Sequence, residues 1–269
     1  MGKLWNAHSR TKERSGEIEM AQLVFNRYEK KYIMPQHIYR RLRERLLPHM
    51  EEDQYGLHTI CNIYYDTPDS YLIRRSMERP AYKEKLRLRS YGIPDQDSKV
   101  FLEIKKKYKK IVNKRRIQLG LLEAYDYVER GIRPEKESQI LRELDFFLHR
   151  YQLIRGLYLA YDRIALYGRE NPDFRVTFDH NIRSRRTSMG LENGDYGDLL
   201  LPEGYYLMES KIMGATPLWF AKILSELSIY PVSFSKYGNI YRKERDAFHL
   251  EQMMVHRTKN WKDIRGRTI

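Results

Sequence analysis

The chain has 269 residues, 41% of them hydrophobic, and carries 50 Lys+Arg against 36 Asp+Glu for a formal charge of +14. That length and composition suit one large domain or two small ones with a real core, and the charge calls for an anionic partner without choosing between nucleic acid, acidic lipid and polyphosphate. The single Cys61 excludes an intramolecular disulfide and a cysteine zinc cluster, and no apolar run approaches the roughly 18 residues needed to cross a bilayer.

Residues 1–20 lack the apolar segment of a signal peptide and read as a polar tail, so a cytoplasmic location is expected. The first strand is predicted over 24–34, ended by Pro35, which opens a basic helix with an apolar stripe at Ile38, Leu42 and Leu46. A strand over 59–67 follows, then a short helix through Ser70, Leu72 and Ile73 that stops near Pro80. Residues 83–92 and 100–110 are strands, and 111–119 either pairs with the latter or continues it beyond a bend. Helices are predicted over 122–130, capped by Gly131, and over 138–151. Strands resume over 153–168, 174–184 and 205–213, with a glycine-rich loop over 187–204. Thr216 is expected to cap a helix that has Pro217 at its first position and runs through Leu227. Strands without regular βαβ alternation predict an α+β domain: an antiparallel sheet or barrel with flanking helices.

Side chains on a strand alternate faces. Arg27, Glu29 and Lys31 therefore share a face, as do Lys83, Lys85, Arg87 and Arg89 on one strand and Glu103, Lys105 and Lys107 on the next. Arg175 sits with Thr177 and Asp179, and Glu209 with Lys211, while Leu86, Leu88, Leu102, Ile104, Val176 and Phe178 take the opposite faces. A sheet with one buried and one solvated face gives the same pattern. Cations dominate these faces, however, and like charges on neighbouring strands repel. The other reading is a sheet closed around its charged faces, with an anion compensating the converging Lys and Arg. Glu29, Glu103 and Glu209 each precede a lysine by two residues, and a hard divalent ion bridging phosphate oxygens wants a few such carboxylates. The blander reading is that each glutamate neutralises its neighbouring lysine.

The run KKKYKKIVNKRR over 105–116 taken alone suggests a nucleic-acid patch, but two basic strands joined by a hairpin fit it better. The eight histidines show no metal-ligand spacing, and no Walker A, GxGxxG or GxSxG sequence is present. The 22 tyrosines are expected to pack the exterior of the barrel and its helix contacts.

Together, Arg27-x-Glu29-x-Lys31-Tyr32, NIYYDTPD (62–69), YKEKLRLRSYG (82–92), FLEIKKK (101–107), ESK (209–211) and FSKYGNIY (234–241) resemble the VTC domain, over roughly residues 22–245. That family is the catalytic part of the eukaryotic polyphosphate polymerase, with stand-alone bacterial relatives, within the triphosphate tunnel metalloenzymes. The resemblance implies an antiparallel β-barrel around a basic tunnel (21–245, followed by a C-terminal helical segment or tail over 246–269), and transfer of the terminal phosphate of ATP to polyphosphate with Mn²⁺ or Mg²⁺. It implies that Lys31, Arg87, Arg89, Lys105 and Arg175 act at the reacting phosphates. Arg27, Lys85, Lys114, Arg116, Arg163, Lys211, Ser235 and Lys236 are implied to bind substrate. Glu209 is implied as metal ligand, with Glu103 and Glu29 as further metal carboxylates. Hydrolytic and cyclase branches begin with an ExExK strand; Arg27 in place of the first acid favours the polymerase branch. A triphosphatase of the same fold and a non-catalytic polyphosphate- or nucleic-acid-binding module remain alternatives. The SPX domain and membrane helices that accompany eukaryotic VTC proteins are absent from this sequence, while association with a membrane partner protein stays open.

Overall fold

The computed structural model describes residues 27–109 and 111–248. The predicted tail, residues 24–26 of the first strand, and residues 249–269 lie outside them. Ten strands form one sheet in which every pairing is antiparallel. They are β1 (Arg27–Pro35), β2 (Met50–Glu52), β3 (His58–Asp66), β4 (Tyr82–Tyr91), β5 (Lys99–Tyr108), β6 (Ile111–Gly120), β7 (Ile154–Gly168), β8 (Arg175–Arg185), β9 (Asp198–Leu199) and β10 (Tyr205–Met213). The main path runs β1-β10-β8-β7-β3-β4-β5-β6, with β2 on β7 and β9 on β8. The helices are α1 (Gln36–Leu46), α2 (Tyr71–Met77), α3 (Leu121–Tyr125), α4 (Gln139–Arg150), α5 (Leu218–Glu226) and α6, described from 236 through 248.

Alternation along the strands sorts the sheet into two faces. Leu86, Leu88, Leu102 and Ile104 leave the sheet on its convex side and pack with Leu141, Leu144 and Phe147 of α4 and with Leu121, Ala124 and Tyr127. Val176, Phe178 and Met208 do the same with Leu42 and Leu46 of α1 and Phe220, Ile223 and Leu224 of α5. The helices thus cover the apolar faces from outside. Leu42 and Leu46 have no exposed surface, and emptying either position to Ala costs about 2–5 kcal/mol. The concave face carries the charged residues at one level and a third apolar cluster at another, where Leu157, Leu159 and Ile182 meet Tyr237 and Ile240 of α6.

Several local expectations change. The sheet curls into a tunnel-like barrel but does not close: β1 and β6 are edges that do not pair with each other among the described residues. The β1 edge is instead met by the segment before α6, where the Val232 amide donates to the Lys31 carbonyl at 2.7 Å. Residues 111–120 pair with β5 as a hairpin. Beyond Tyr125 the backbone loosens into a π turn (Asp126–Arg130), ended by Gly131 at φ 73°. Thr216 does not cap α5: helical geometry begins at Leu218 and the Pro217 carbonyl accepts the first helical bond, from Ala221. The predicted 187–204 loop contains the two-residue β9 and a 3-10 turn.

Candidate active site

Curling the sheet gathers its inward side chains around a cavity of about 230 Å³, lined by nine Lys and Arg and three Glu. One wall is built by β1 and β10. Their register sets Glu29 opposite Lys211 and Lys31 opposite Glu209, a two-by-two checkerboard of charge. Lys31 Nζ lies 3.6 Å from Glu29 and 3.5 Å from Glu209, and donates to the Phe234 carbonyl at 3.0 Å. Lys236, the first residue of α6, reaches Glu209 at 3.2 Å and Asp179 at 2.5 Å. Asp179, fully buried on β8, also accepts two bonds from the Arg163 guanidinium at 2.6 and 2.8 Å. Burial works against the charge on Glu209 and Asp179. Lys236, Lys31, Arg163 and Lys211 outweigh it at Glu209, as Arg163 and Lys236 do at Asp179, and both acids are held below the ordinary carboxylate range.

The facing wall, from β4, β5 and β6, is much more positive. Lys85, Arg87, Arg89, Lys105 and Lys114 surround one acid, Glu103. Arg87 lies 2.6 Å from it, Lys114 2.9 Å and Arg89 3.9 Å. Burial would raise Glu103, but the three cations bring it down to about 2. Lys85 and Lys105 stand directly opposite each other in register, and neither forms an ion pair among the described residues. Lys85 is brought down to about 8, first by burial, with Lys83, Lys105 and Lys31 adding repulsion against the attraction of Tyr64. Tyr64, whose hydroxyl accepts from Arg87 at 3.2 Å, also falls to about 8: burial opposes its ionisation, and Arg87, Lys85 and Arg89 outweigh burial.

Helix α6 sets the third side. Ser235 is its N-cap, accepting from the Gly238 amide at 3.2 Å, so the positive end of the helix dipole faces the cavity beside Lys236. The helix is anchored by Tyr237, which donates to Asp66 at 2.9 Å. Asp66 is itself fully buried and accepts the Leu72 and Ile73 amides at the start of α2.

The donor set decides where a divalent ion fits. Among the described residues no three His, Cys, Asp or Glu converge, so an all-protein metal cage is absent. A hard ion held by one or two carboxylates and completed by substrate oxygens does fit at Glu209 with Glu29, which meet at Lys31. The Thr177 hydroxyl, buried without a hydrogen-bond partner and opposite Glu209 in register, is a further oxygen there. Glu103 stands apart from that pair on the facing wall, with Arg87, Lys114 and Arg89 as its ion-pair partners and no second carboxylate beside it in the cavity lining.

The cavity brings together Glu29, Lys31, Lys85, Arg87, Arg89, Glu103, Lys105, Lys114, Arg163, Glu209, Lys211, Ser235 and Lys236. Two expected residues stand apart. Arg175 is exposed at the start of β8, one step beyond Thr177 on the same face. Arg116 turns onto the Phe101 ring, 4.8 Å from its centroid, near the open β6 edge. Arg27 heads β1 opposite Met213, and its side chain lies outside the described residues. Sequence reasoning missed Asp179, which its alternation with Arg175 placed on the right face but gave no role. It also missed Tyr64, Tyr161 and Tyr237, which line the cavity rather than the exterior. The signal for the tyrosines was their position: Tyr64 and Tyr161 fall on the inward alternation of β3 and β7.

No curated protein sequence matches the chain. Among solved structures, a candidate adenylate cyclase from Bacillus halodurans is similar at 18% identity and a TM-score of 0.49, covering 77% of this chain and 92% of that one. A candidate adenylyl cyclase from Hippeastrum, described by its dominant triphosphatase activity, is similar at 15% identity and a TM-score of 0.48, covering 80% and 95%. The VTC domain model matches residues 26–244, a span that holds all ten strands and the N-terminal part of α6 with its cavity residues. The chain belongs to the VTC domain family.

Proposed function

We propose that this protein is a polyphosphate polymerase that moves the terminal phosphate of ATP onto the end of a phosphate chain inside the basic cavity. The observation that carries the reading is the surplus of cations: Lys85, Lys105 and Lys211 line the cavity without an ion pair among the described residues. Converging buried cations are costly unless an anion fills the space, and a chain of phosphates compensates several at once. Arg87 and Arg89 offer forked donors to paired phosphate oxygens, while the lysines supply point charges.

In the transfer, an oxygen of the acceptor's terminal phosphate forms a bond to the γ-phosphorus of ATP. The bond from that phosphorus to the β,γ-bridging oxygen breaks, and its electron pair leaves on ADP. The acceptor is already anionic near neutral pH, so no base is required; positioning and charge stabilisation suffice. This suits a cavity in which Glu103, at about 2, and Glu209, lower than usual, are weak bases. Lys31, Arg87, Arg89 and Lys105 are assigned to the reacting phosphates, and Lys85, Lys114, Arg163, Lys211, Ser235 and Lys236 to holding donor and acceptor in line. Arg27 is kept as a phosphate ligand at the mouth of β1. A Mn²⁺ or Mg²⁺ ion held by Glu209 and Glu29 would supply neutralising charge to the donor's phosphate oxygens.

One observation favours hydrolysis instead: the Tyr64 hydroxyl, 3.2 Å from Arg87, and the neighbouring Lys85 are both cavity groups brought to about 8, a range suited to accepting a proton from water. Incubation of the protein with ATP and Mn²⁺, resolved on a gel, separates the two readings. Long phosphate chains are expected, and free phosphate without chains would replace the polymerase with a triphosphatase.

A further inference from the structure

The tip of the β4–β5–β6 sheet carries a second charged surface, outside the cavity. Tyr108, Ile111 and Val112, at the turn between β5 and β6, are 54%, 64% and 49% exposed. Cross-strand register continues the strip from Tyr108 to Tyr82. Tyr82 and Tyr151 both donate to the buried Glu84, at 2.6 and 2.7 Å, and the Tyr151 ring lies 6.2 Å from that of Tyr71. Tyr71, Tyr151, Tyr82, Tyr108 and Ile111 thus run as a band along the outer face from the end of α4 to the hairpin tip, where Val112, in register with Lys107, projects from the other face of the same tip.

Cations border the band. Lys109 lies over the Tyr108 ring at 5.4 Å, Arg150 over the Tyr151 ring at 5.3 Å, and Lys83 stands opposite Lys107 in register. The nearby acids are taken: Glu78 pairs with Arg75, Glu143 with Lys106 and Arg115, and Glu84 with the two tyrosines. Lys83 and Lys107 are also the next inward residues after Lys85 and Lys105, so the cationic row of the cavity wall runs out to this band.

We infer that this band is a docking surface for a bilayer containing anionic lipid, with Ile111 and Val112 entering the interface, the tyrosines at headgroup depth and the lysines and arginines on the headgroups. Tyrosine with flanking Lys and Arg is the side-chain chemistry of a membrane interface. An aliphatic pair at the extreme tip has little to gain from a nucleic-acid backbone, and a second copy of this face would set cation against cation. The cavity row then delivers its mouth close to the membrane surface.

Sedimentation with vesicles tests this without any turnover, so its outcome is independent of the polymerase reading. The full chain is expected to bind vesicles of phosphatidylcholine with about 30% phosphatidylglycerol, to be released by salt, and to ignore phosphatidylcholine alone. Lys109→Glu with Arg150→Glu is expected to lower partitioning about thirtyfold, and Ile111→Asp with Val112→Asp at least about tenfold. Thermal melting of the variants controls for folding, and none of the four residues lines the cavity, so ATP turnover without vesicles should be unchanged. Failure of the parent protein to bind anionic vesicles would overturn the inference. So would vesicle binding unaffected by the Ile111 and Val112 changes. Binding to duplex DNA or RNA at matched salt that needs Lys109 and Arg150 but not the aliphatic pair would assign the band to nucleic acid instead.

Discussion

The two walls of the cavity solve different electrostatic problems. On the wall formed by β1, β10 and α6, with Arg163 and Asp179 behind it, four cations meet three acids and each acid touches at least one cation. That wall is close to balanced without a ligand, and its carboxylates can be shared with a metal ion. On the β4–β6 wall five cations share Glu103 alone. That wall is balanced only when an anion arrives. Burial of like charge is therefore concentrated on the surface where phosphate is expected, with Lys211 the one cation of the other wall without an ion pair among the described residues, and the pairing that fixes the shape of the site is kept on that other wall.

The largest effect should come from removing the lone acid of the positive wall. Glu103→Gln is expected to destabilise the free protein by about 3 kcal/mol in urea unfolding, because three cations lose their only carboxylate. Inorganic triphosphate should restore most of it; no rescue would mean that the wall does not bind phosphate chains. The same residue sets an acid limb. Its folded value near 2 lies below the ordinary glutamate value of about 4.3, so its contribution is complete above that pH and is lost as pH falls toward about 2. The Gln variant should lack this portion of the slope.

On the balanced wall, Glu209→Gln is expected to cut ATP turnover at least about a hundredfold while leaving affinity for inorganic triphosphate, measured without metal, nearly intact. Equal losses in binding and turnover would erase the division of labour between the walls. A smaller effect concerns pH. Lys85, near 8, is charged below that value and neutral above it, while Tyr64 gains negative charge over the same range. The KM for ATP should rise up to about tenfold between pH 8 and 9, and Lys85→Arg should flatten the rise. The smallest change is expected for Thr177→Val. Removing an unpartnered buried hydroxyl should raise stability by about 1 kcal/mol and weaken Mn²⁺ binding a few-fold if that oxygen serves the ion.

The concave charged face was legible because period-two alternation needs only the sequence: Lys85, Arg87 and Arg89 alternate with Leu86 and Leu88 whatever the sheet does next. What alternation does not encode is which strands become neighbours. The checkerboard exists because β10 pairs with β1, nearly two hundred positions away, and no local pattern sets that register. Arg116 and Arg175 stand outside the cavity lining for the same reason. Alternation gave Arg175 its face and the resemblance alone nominated Arg116, but neither encodes that one lies at the start of β8, where the cavity has ended, and the other beside the open β6 edge. The apparent Thr216 cap failed because Pro217 itself, with its fixed φ, serves as the residue before the first helical turn. Motif resemblance located Ser235 and Lys236; the reason they matter, an N-cap aimed into the barrel, came only with the fold.

The hydrogen bond from Tyr237 to Asp66 closes a loop of 171 residues. Together with Lys236 on Asp179 and Glu209, it means that the site depends on a segment synthesised well after the sheet. A nascent chain extended only through β10 can pair all ten strands yet lacks the cap, the helix dipole and one of the two cations that neutralise Asp179. The third side of the cavity is thus completed only once the chain beyond β10 has docked, so the order of synthesis makes its closing element the last to arrive.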